Sequence, residues 1–268
     1  MKRALLIGIN KYPTAPLRGC VNDVNDMVDY LVNQKGLAIS DIELLIDENA
    51  TTSQILDSLN RLVSDVQPGD SIYFHYSGHG AQMPTLNQSG EVDGLDEVIC
   101  PVDFDWSNSH VVRDKDFNRI FARVVEGCDF NWVSDSCHSG DLSRDIPPDG
   151  ILWRTFPNQP ILIQQQLEIA KQLMFQPLSF RGIEVPGNYA LISACKSDQT
   201  AADARFNDKP NGALTYYLKS TLLEQGGDSL PLNNLVSKIA QKIKDSHYKQ
   251  EPGVEGNPDI IRKPFLAG

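Results

Sequence analysis

Two segments built the same way constrain this chain more than anything else in it. Asn131-Trp132-Val133-Ser134-Asp135-Ser136-Cys137-His138-Ser139-Gly140 reads as a buried strand that stops abruptly at small polar residues. Ser71-Ile72-Tyr73-Phe74-His75-Tyr76 is an apolar and aromatic run, broken by Ser77-Gly78-His79-Gly80. Strands that end in tight, glycine-containing turns are where α/β folds expose chemistry. A third run, Arg3 to Ile9, has the continuous apolar pattern of a central strand in a parallel sheet.

The stretches between these runs have helical period. Val21, Val24, Met27, Val28 and Leu31 predict a helix over Cys20 to Gln34, stopped by Gly36. Ile42 to Ile46 reads as a second strand. Thr51-Thr52-Ser53 caps a helix whose apolar face is Ile55, Leu56, Leu59, Leu62, Val63 and Val66. Pro68-Gly69-Asp70 then turns into the strand that leads to His79. The order β-α-β-α-β implies right-handed crossovers and a mostly parallel sheet flanked by helices. Further on, the pattern predicts a short strand at Val98 to Pro101, a helix over Lys115 to Glu126 and a strand at Tyr189 to Ala194. It also predicts helices over Ala213 to Leu223 and Leu232 to Ile243, and a last strand at Asp259 to Ile261. Asp141 to Gly187 is rich in proline and glutamine, with little period; a loop this long inside a domain is functional or disordered. A length of 268 residues suits one large α/β domain or two small ones.

Cys137 and His79 carry the chemistry. A lone cysteine after a strand is most often a small buried hydrophobe, and a lone histidine a satisfied structural residue. Together they form a different case, since both follow apolar strands and both fall at the carboxyl ends of parallel strands, where open α/β sheets hold their sites. His79 is then the base or ion-pair partner of a Cys137 nucleophile. The backbone N–H groups of Gly80 and Cys137 are candidates to receive a developing oxyanion. His138 and His75 are decoys: one adjoins the nucleophile with its ring turned elsewhere, the other lies inside a strand.

A net charge of −11 argues against nucleic acid and anionic membrane as partners, and weakly favours a cationic substrate. The apolar run Ala4 to Ile9 is too short for a signal peptide, and no run is long enough to span a bilayer. Five cysteines, widely spread and without paired metal spacing, predict reduced thiols and a cytoplasmic location.

Tyr76-Ser77-Gly78-His79-Gly80 and Asp135-Ser136-Cys137-His138-Ser139-Gly140 stand about as far apart as the His and Cys motifs of caspases. The Asp-Ser-Cys form resembles metacaspases, and the short form without a prodomain resembles orthocaspases. Leu6-Ile7-Gly8-Ile9-Asn10, Gly19-Cys20-Val21-Asn22-Asp23, Asp93-Gly94-Leu95-Asp96-Glu97 and Ile192-Ser193-Ala194-Cys195, with Gln199, Ala201 and Asp203, extend the resemblance over nearly the whole chain. It implies a single caspase-like domain over 1–268: a three-layer fold around a six-stranded, mostly parallel sheet. Residues 1–140 would be the large-subunit-like part, 141–187 a linker, and 188–268 the small-subunit-like part. It also implies a cysteine endopeptidase cutting after Arg or Lys.

In metacaspases the positions matching Cys20, Asp23, Ser77 and Asp135 line the pocket for the basic side chain. Arg18 lies close in sequence and is expected to point outward. Guanidinium, with its planar fork of donors, suits two carboxylates better than ammonium does, so Arg is expected over Lys. Calcium-using metacaspases carry an adjacent Asp pair that falls near Asp114 and Lys115; here lysine stands in place of one, so no metal site and no cofactor is expected. Arg144, Arg154, Lys171 and Arg181 offer self-cleavage sites in the loop. The expected partners are peptides with basic residues, met by a monomer. The rival readings are a cysteine hydrolase of another acyl substrate and a non-catalytic caspase-like interaction module.

Overall fold

The computed structural model describes residues 1–84, 95–137, 150–157, 187–196 and 199–267. Along the chain run β1 (Lys2–Gly8), α1 (Cys20–Asn33), β2 (Ile42–Ile46), α2 (Thr52–Leu62), β3 (Ser71–Ser77), β4 (Gly80–Pro84), β5 (Leu95–Ile99), β6 (Val112–Arg113) and α3 (Asp114–Phe121). They are followed by β7 (Asp129–Asp135), β8 (Leu152–Trp153), β9 (Ala190–Ser193), β10 (Ala202–Phe206), β11 (Lys209–Gly212), α4 (Ala213–Leu222), α5 (Leu232–Asp245), β12 (Gly253–Gly256) and the short α6 (Pro258–Ile261). The central sheet has six strands in the order β12-β9-β7-β3-β1-β2. All pairs in it are parallel except β12 with β9.

Successive side chains on a strand point to opposite faces, and this sheet is buried on both. On one face Leu5, Ile7, Ile72, Phe74, Phe130 and Trp132 pack against α2 and α3, through Ile55, Leu59, Phe117 and Phe121. On the other face Ala4, Leu6, Tyr73 and Val133 pack against α1, α4 and α5, through Val24, Met27, Leu214, Leu218, Leu235 and Ile239. The result is three layers, helix–sheet–helix, as the β-α-β-α-β pattern requires.

Three sequence expectations change. Asp259 to Ile261 is not a strand: Asn257 caps a helical turn by accepting from the Asp259 N–H at 2.9 Å, and Pro258 opens it. The last strand is β12, just upstream. The helix expected to reach Glu126 ends at Phe121, where its apolar stripe of Phe117, Ile120 and Phe121 is complete. The linker over 141–187 is not loop throughout, because β8 pairs antiparallel with β10 inside it. The rest of that linker lies outside the described residues, as do the self-cleavage candidates Arg144, Lys171 and Arg181 and the decoy His138.

Candidate active site

The carboxyl ends of three central strands meet in register: Gly8 of β1 pairs with Ser77 of β3, and Ser77 with Asp135 of β7. The first turn of α1 is laid directly over the end of β1. A Cβ at Gly8 would stand 2.7 Å from Val24 Cγ2 and 2.8 Å from the Cys20 carbonyl, so only glycine permits that approach. This packing delivers Cys20 and Asp23 to the same spot as Ser77 and Asp135. All four are completely buried. Arg18, by contrast, is exposed.

The pocket formed by these four residues is filled by Arg154. Its Nη2 donates to Asp23 Oδ2 at 2.6 Å, and its Nη1 donates to Ser77 Oγ at 2.6 Å and to the Asp135 carbonyl at 3.1 Å. Asp135 Oδ1 lies 3.2 Å from Nη1, and Asp203 Oδ2 lies 3.8 Å from Nη2, as charge contacts. Burial works against the guanidinium's charge, but Asp135, Cys20, Asp23 and Asp203 outweigh it and raise its pKa further. Asp23 is pushed up to about 7, because burial disfavours its charged form more than Arg154 favours it. The Cys20 thiol is driven upward by the same burial and stays neutral.

Three of the residues that hold these carboxylates, Asn211, Gly212 and Thr215, carry no signal in the sequence patterns. Asp23 Oδ1 accepts from Asn211 Nδ2 at 2.9 Å and from the Gly212 N–H at 3.0 Å. Asp135 Oδ2 accepts from the N–H and hydroxyl of Thr215 at 2.8 and 2.7 Å. Asp203 Oδ2 accepts from the N–H groups of Arg18 and Gly19. A Cβ at Gly212 would come within 2.3 Å of Asp135 Oδ2 and 2.4 Å of Arg154 Nη1, so a side chain there would fill the pocket. The β10–β11 hairpin, which carries Asp203, Asn211 and Gly212, was legible only through Asp203 in the motif match.

The backbone around Arg154 is held as firmly as its side chain. Its carbonyl accepts from the Gly80 N–H at 3.2 Å and from the Cys137 N–H at 3.0 Å. These are the two donors picked out from sequence for an oxyanion. Its own N–H donates to the Ala201 carbonyl at 2.9 Å, and the Phe156 N–H donates to the Gly80 carbonyl at 2.9 Å. Leu152 and Trp153 extend the pairing along β10. The segment from Leu152 to Phe156 therefore lies across the strand ends as an extended peptide, Arg154 side chain down and carbonyl towards the Cys137 amide.

Cys137 is buried at the end of β7, and its thiol donates to the Gln199 carbonyl at 2.6 Å. Cys195 Sγ lies 3.5 Å from the same oxygen, and the neighbouring Cys137 thiol is the foremost cause raising its pKa. His79 is clamped between the rings of Tyr12 and Phe156, with centroids at 4.6 and 5.3 Å. Its Nε2 lies 2.7 Å from the carbonyl of Ala15, a residue held at φ +57°. A carbonyl can only accept, so Nε2 carries the proton and Nδ1 the lone pair. Nδ1 has no hydrogen-bond partner among the described residues. Burial lowers the His79 pKa to about 4, so the ring is neutral at pH 7. The decoy His75 is structural: fully buried, it shares a 2.8 Å hydrogen bond with the Tyr73 hydroxyl.

The comparisons with known proteins bear on the whole chain. The family model "Metacaspase, peptidase C14 domain" matches residues 2–146. Metacaspase-1 of Meyerozyma guilliermondii is 33% identical over 94% of this chain and 68% of its own length. Metacaspase-8 of Arabidopsis thaliana is 42% identical over 54% of this chain and 39% of its own. A crystal structure of a protein from Geobacter sulfurreducens, 22% identical, superposes with a TM-score of 0.69 over 99% of this chain and 98% of that one, which speaks for the fold alone. With both strand-end motifs inside the matched region, the chain belongs to the metacaspases, a C14 family of cysteine-type peptidases.

Proposed function

We propose that this protein is a cysteine endopeptidase that cleaves peptide bonds after arginine, and that its own Arg154–Thr155 bond is its first substrate. One observation carries the reading: Arg154 fills a pocket of buried carboxylates while its carbonyl accepts from the Gly80 and Cys137 N–H groups. A chain held in this way has its carbonyl oxygen where negative charge develops during acyl transfer.

The chemistry follows from these contacts. The Cys137 thiol turns from the Gln199 carbonyl and gives its proton to Nδ1 of neutral His79. The sulfur attacks the Arg154 carbonyl carbon, and the oxygen takes up charge against the two N–H donors. As the tetrahedral intermediate collapses, the Arg154–Thr155 bond breaks and His79 returns the proton to the Thr155 amine. Water then hydrolyses the Cys137 thioester with His79 again as base. The Ala15 carbonyl fixes the imidazole tautomer throughout. Lysine would reach the same carboxylates with a single ammonium and fewer fixed bonds, so it is the weaker substrate, and an acidic side chain would meet like charge.

Calcium has no part in this reading. Asp96, in the acidic region, already has both carboxylate oxygens engaged: Oδ2 by Arg113 Nη1 at 2.6 Å and Oδ1 by Lys115 Nζ at 2.5 Å. A divalent ion does not fit beside two cations on one carboxylate. The pocket, the donors and the Cys–His pair come from one chain, which supports action as a monomer. All five cysteines are free, in keeping with a reducing, cytoplasmic setting. Among the described residues no helix is long and apolar enough to cross a membrane.

The test is mass spectrometry of purified protein together with an arginyl amide substrate. Wild type should yield fragments ending at Arg154 and starting at Thr155, and should cleave arginyl amides. Cys137→Ala and His79→Ala should do neither while keeping the circular dichroism of the fold. Appreciable amide cleavage by Cys137→Ala would sink the assignment.

A further inference from the structure

Beyond the scissile bond the bound segment makes one more anchored contact. Phe156, two residues past Arg154, is 6% exposed. Its ring is enclosed by four others, all in edge-to-face geometry: Phe104 at 5.0 Å, His79 at 5.3 Å, Tyr12 at 5.8 Å and Trp106 at 6.1 Å between centroids. Such edge-to-face pairs are specific to aromatic rings and add to their area burial. The backbone bond from the Phe156 N–H to the Gly80 carbonyl fixes the register of this side chain in the cage.

The walls of the cage are fixed independently of the segment. Val102 donates to the Ala50 carbonyl, and Asp103 Oδ1 accepts from the N–H and hydroxyl of Thr52 at the start of α2. Asp105 accepts from the Ser107 N–H at 2.9 Å and meets His110 at 2.9 Å. Trp106 is held at φ +68°, a left-handed conformation that a bulky residue adopts at a cost. The loop keeps that strain while turning the indole towards Phe104 and Phe156.

We propose that Tyr12, His79, Phe104 and Trp106 form a specificity subsite that selects an aromatic side chain at the second residue after the cleaved bond. The proposal rests on reading Arg154–Thr155 as the scissile bond. Once that bond is cut, the segment beginning at Thr155 is no longer tied to the acylated half, and water must enter beside His79. Phe156 then leaves, and the cage is open to the corresponding side chain of the next substrate. Peptides bearing Phe, Tyr or Trp there gain ring contacts that alanine lacks, and an acidic side chain is desolvated without a partner. One wall of the cage is the His79 ring, so occupancy also shields the imidazole from water while the bond is broken.

The experiment uses self-processed enzyme and quenched fluorescent peptides of one sequence ending Arg-Thr-X, with X as Phe, Leu, Ala or Asp. An arginyl coumarin amide, which has no residues beyond the bond, runs alongside. The expected kcat/KM for X = Phe is at least tenfold that for Ala, with Asp lowest, and Trp106→Ala brings the Phe-to-Ala ratio below about threefold. Wild-type enzyme that cleaves the coumarin amide but treats Phe and Ala alike overturns the subsite. So does a folded Trp106→Ala enzyme that keeps the full ratio. Failure to cleave any arginyl substrate overturns the underlying arginine reading instead. Should Trp106→Ala not fold, the wild-type ratio decides alone.

Discussion

At the residue scale, the proposed arginine specificity makes Asp23 the group whose titration should reach activity. Its carboxyl is pushed up to about 7 by burial, even with Arg154 opposing the shift. Emptying the pocket removes that cation and admits water, two changes of opposite sign, whereas a bound guanidinium favours the charged carboxylate. Proton and guanidinium therefore compete for one carboxylate. The sign follows: lowering the pH protonates Asp23, weakens arginine binding and raises KM, by up to about tenfold per pH unit for a single competing proton. His79 behaves differently, because its pKa is already down at about 4 and the ring stays neutral across this range. The expected profile for an arginyl amide between pH 6 and 8 is thus a falling KM with a nearly constant kcat. Asp23→Asn should flatten the KM profile and raise KM at every pH. A KM independent of pH in wild type would remove Asp23 from the pocket's chemistry. The residues that meet at the strand ends, Cys20, Asp23, Ser77 and Asp135, are those of the strand-end motifs and of the family resemblance. The occupant of the pocket was not legible in this way: Arg154 stood among four basic residues of one loop, and only pairing of its neighbours with β10 brings it in.

At the scale of elements, the sequence declared what is long and apolar. β1 and β3 carry nearly continuous apolar runs because helices cover both sheet faces, β7 carries the shorter set Phe130, Trp132 and Val133, and α1, α2 and α5 carry clear helical period. Of the short hairpin strands only the end of β5, at Val98 and Ile99, had such a signal. In β4, β5, β10 and β11 small, polar and charged residues mix, since these strands lie at the rim and serve the site as much as the core. Asp259 to Ile261 misled because an Asn cap followed by proline opens a helix as readily as it ends a loop. The α3 end supplies the second test. Lys115, one residue into that helix, brings its ammonium to Asp96, which is 1% exposed on its side chain and also paired with Arg113. A fixed positive charge already occupies this carboxylate, so activity should persist in excess chelator and gain less than twofold from added calcium. Strict dependence on added calcium, measured with the same arginyl amide, would show that other carboxylates suffice for a metal despite Lys115.

At the scale of the molecule, cleavage after Arg154 should divide the chain without dividing the fold. The sheet takes β1, β2, β3 and β7 from before the cut and β9 and β12 from after it, with β9 hydrogen-bonded directly to β7. The cores on both sheet faces are built across the same boundary: Phe121, Phe130 and Trp132 pack with Tyr189 and Leu191 on one, and Leu6, Val24, Met27, Tyr73 and Val133 with Ile192, Leu214, Leu218, Leu235 and Ile239 on the other. Each such aliphatic or aromatic side chain contributes about 1.5–3 kcal/mol by burial. Against the few kcal/mol by which a domain of this kind is stable, separating the halves would expose several times too much apolar surface. The pocket is shared as well, since Asp23, Ser77 and Asp135 come before the cut, and Asp203, Asn211 and Thr215 after it. Activity after processing therefore requires both fragments together. Processed enzyme should show two bands on a denaturing gel, a single peak containing both in native gel filtration, and one cooperative thermal transition. Two peaks under native conditions, or activity recovered from one isolated fragment, would show that the halves do not share the sheet and pocket in solution.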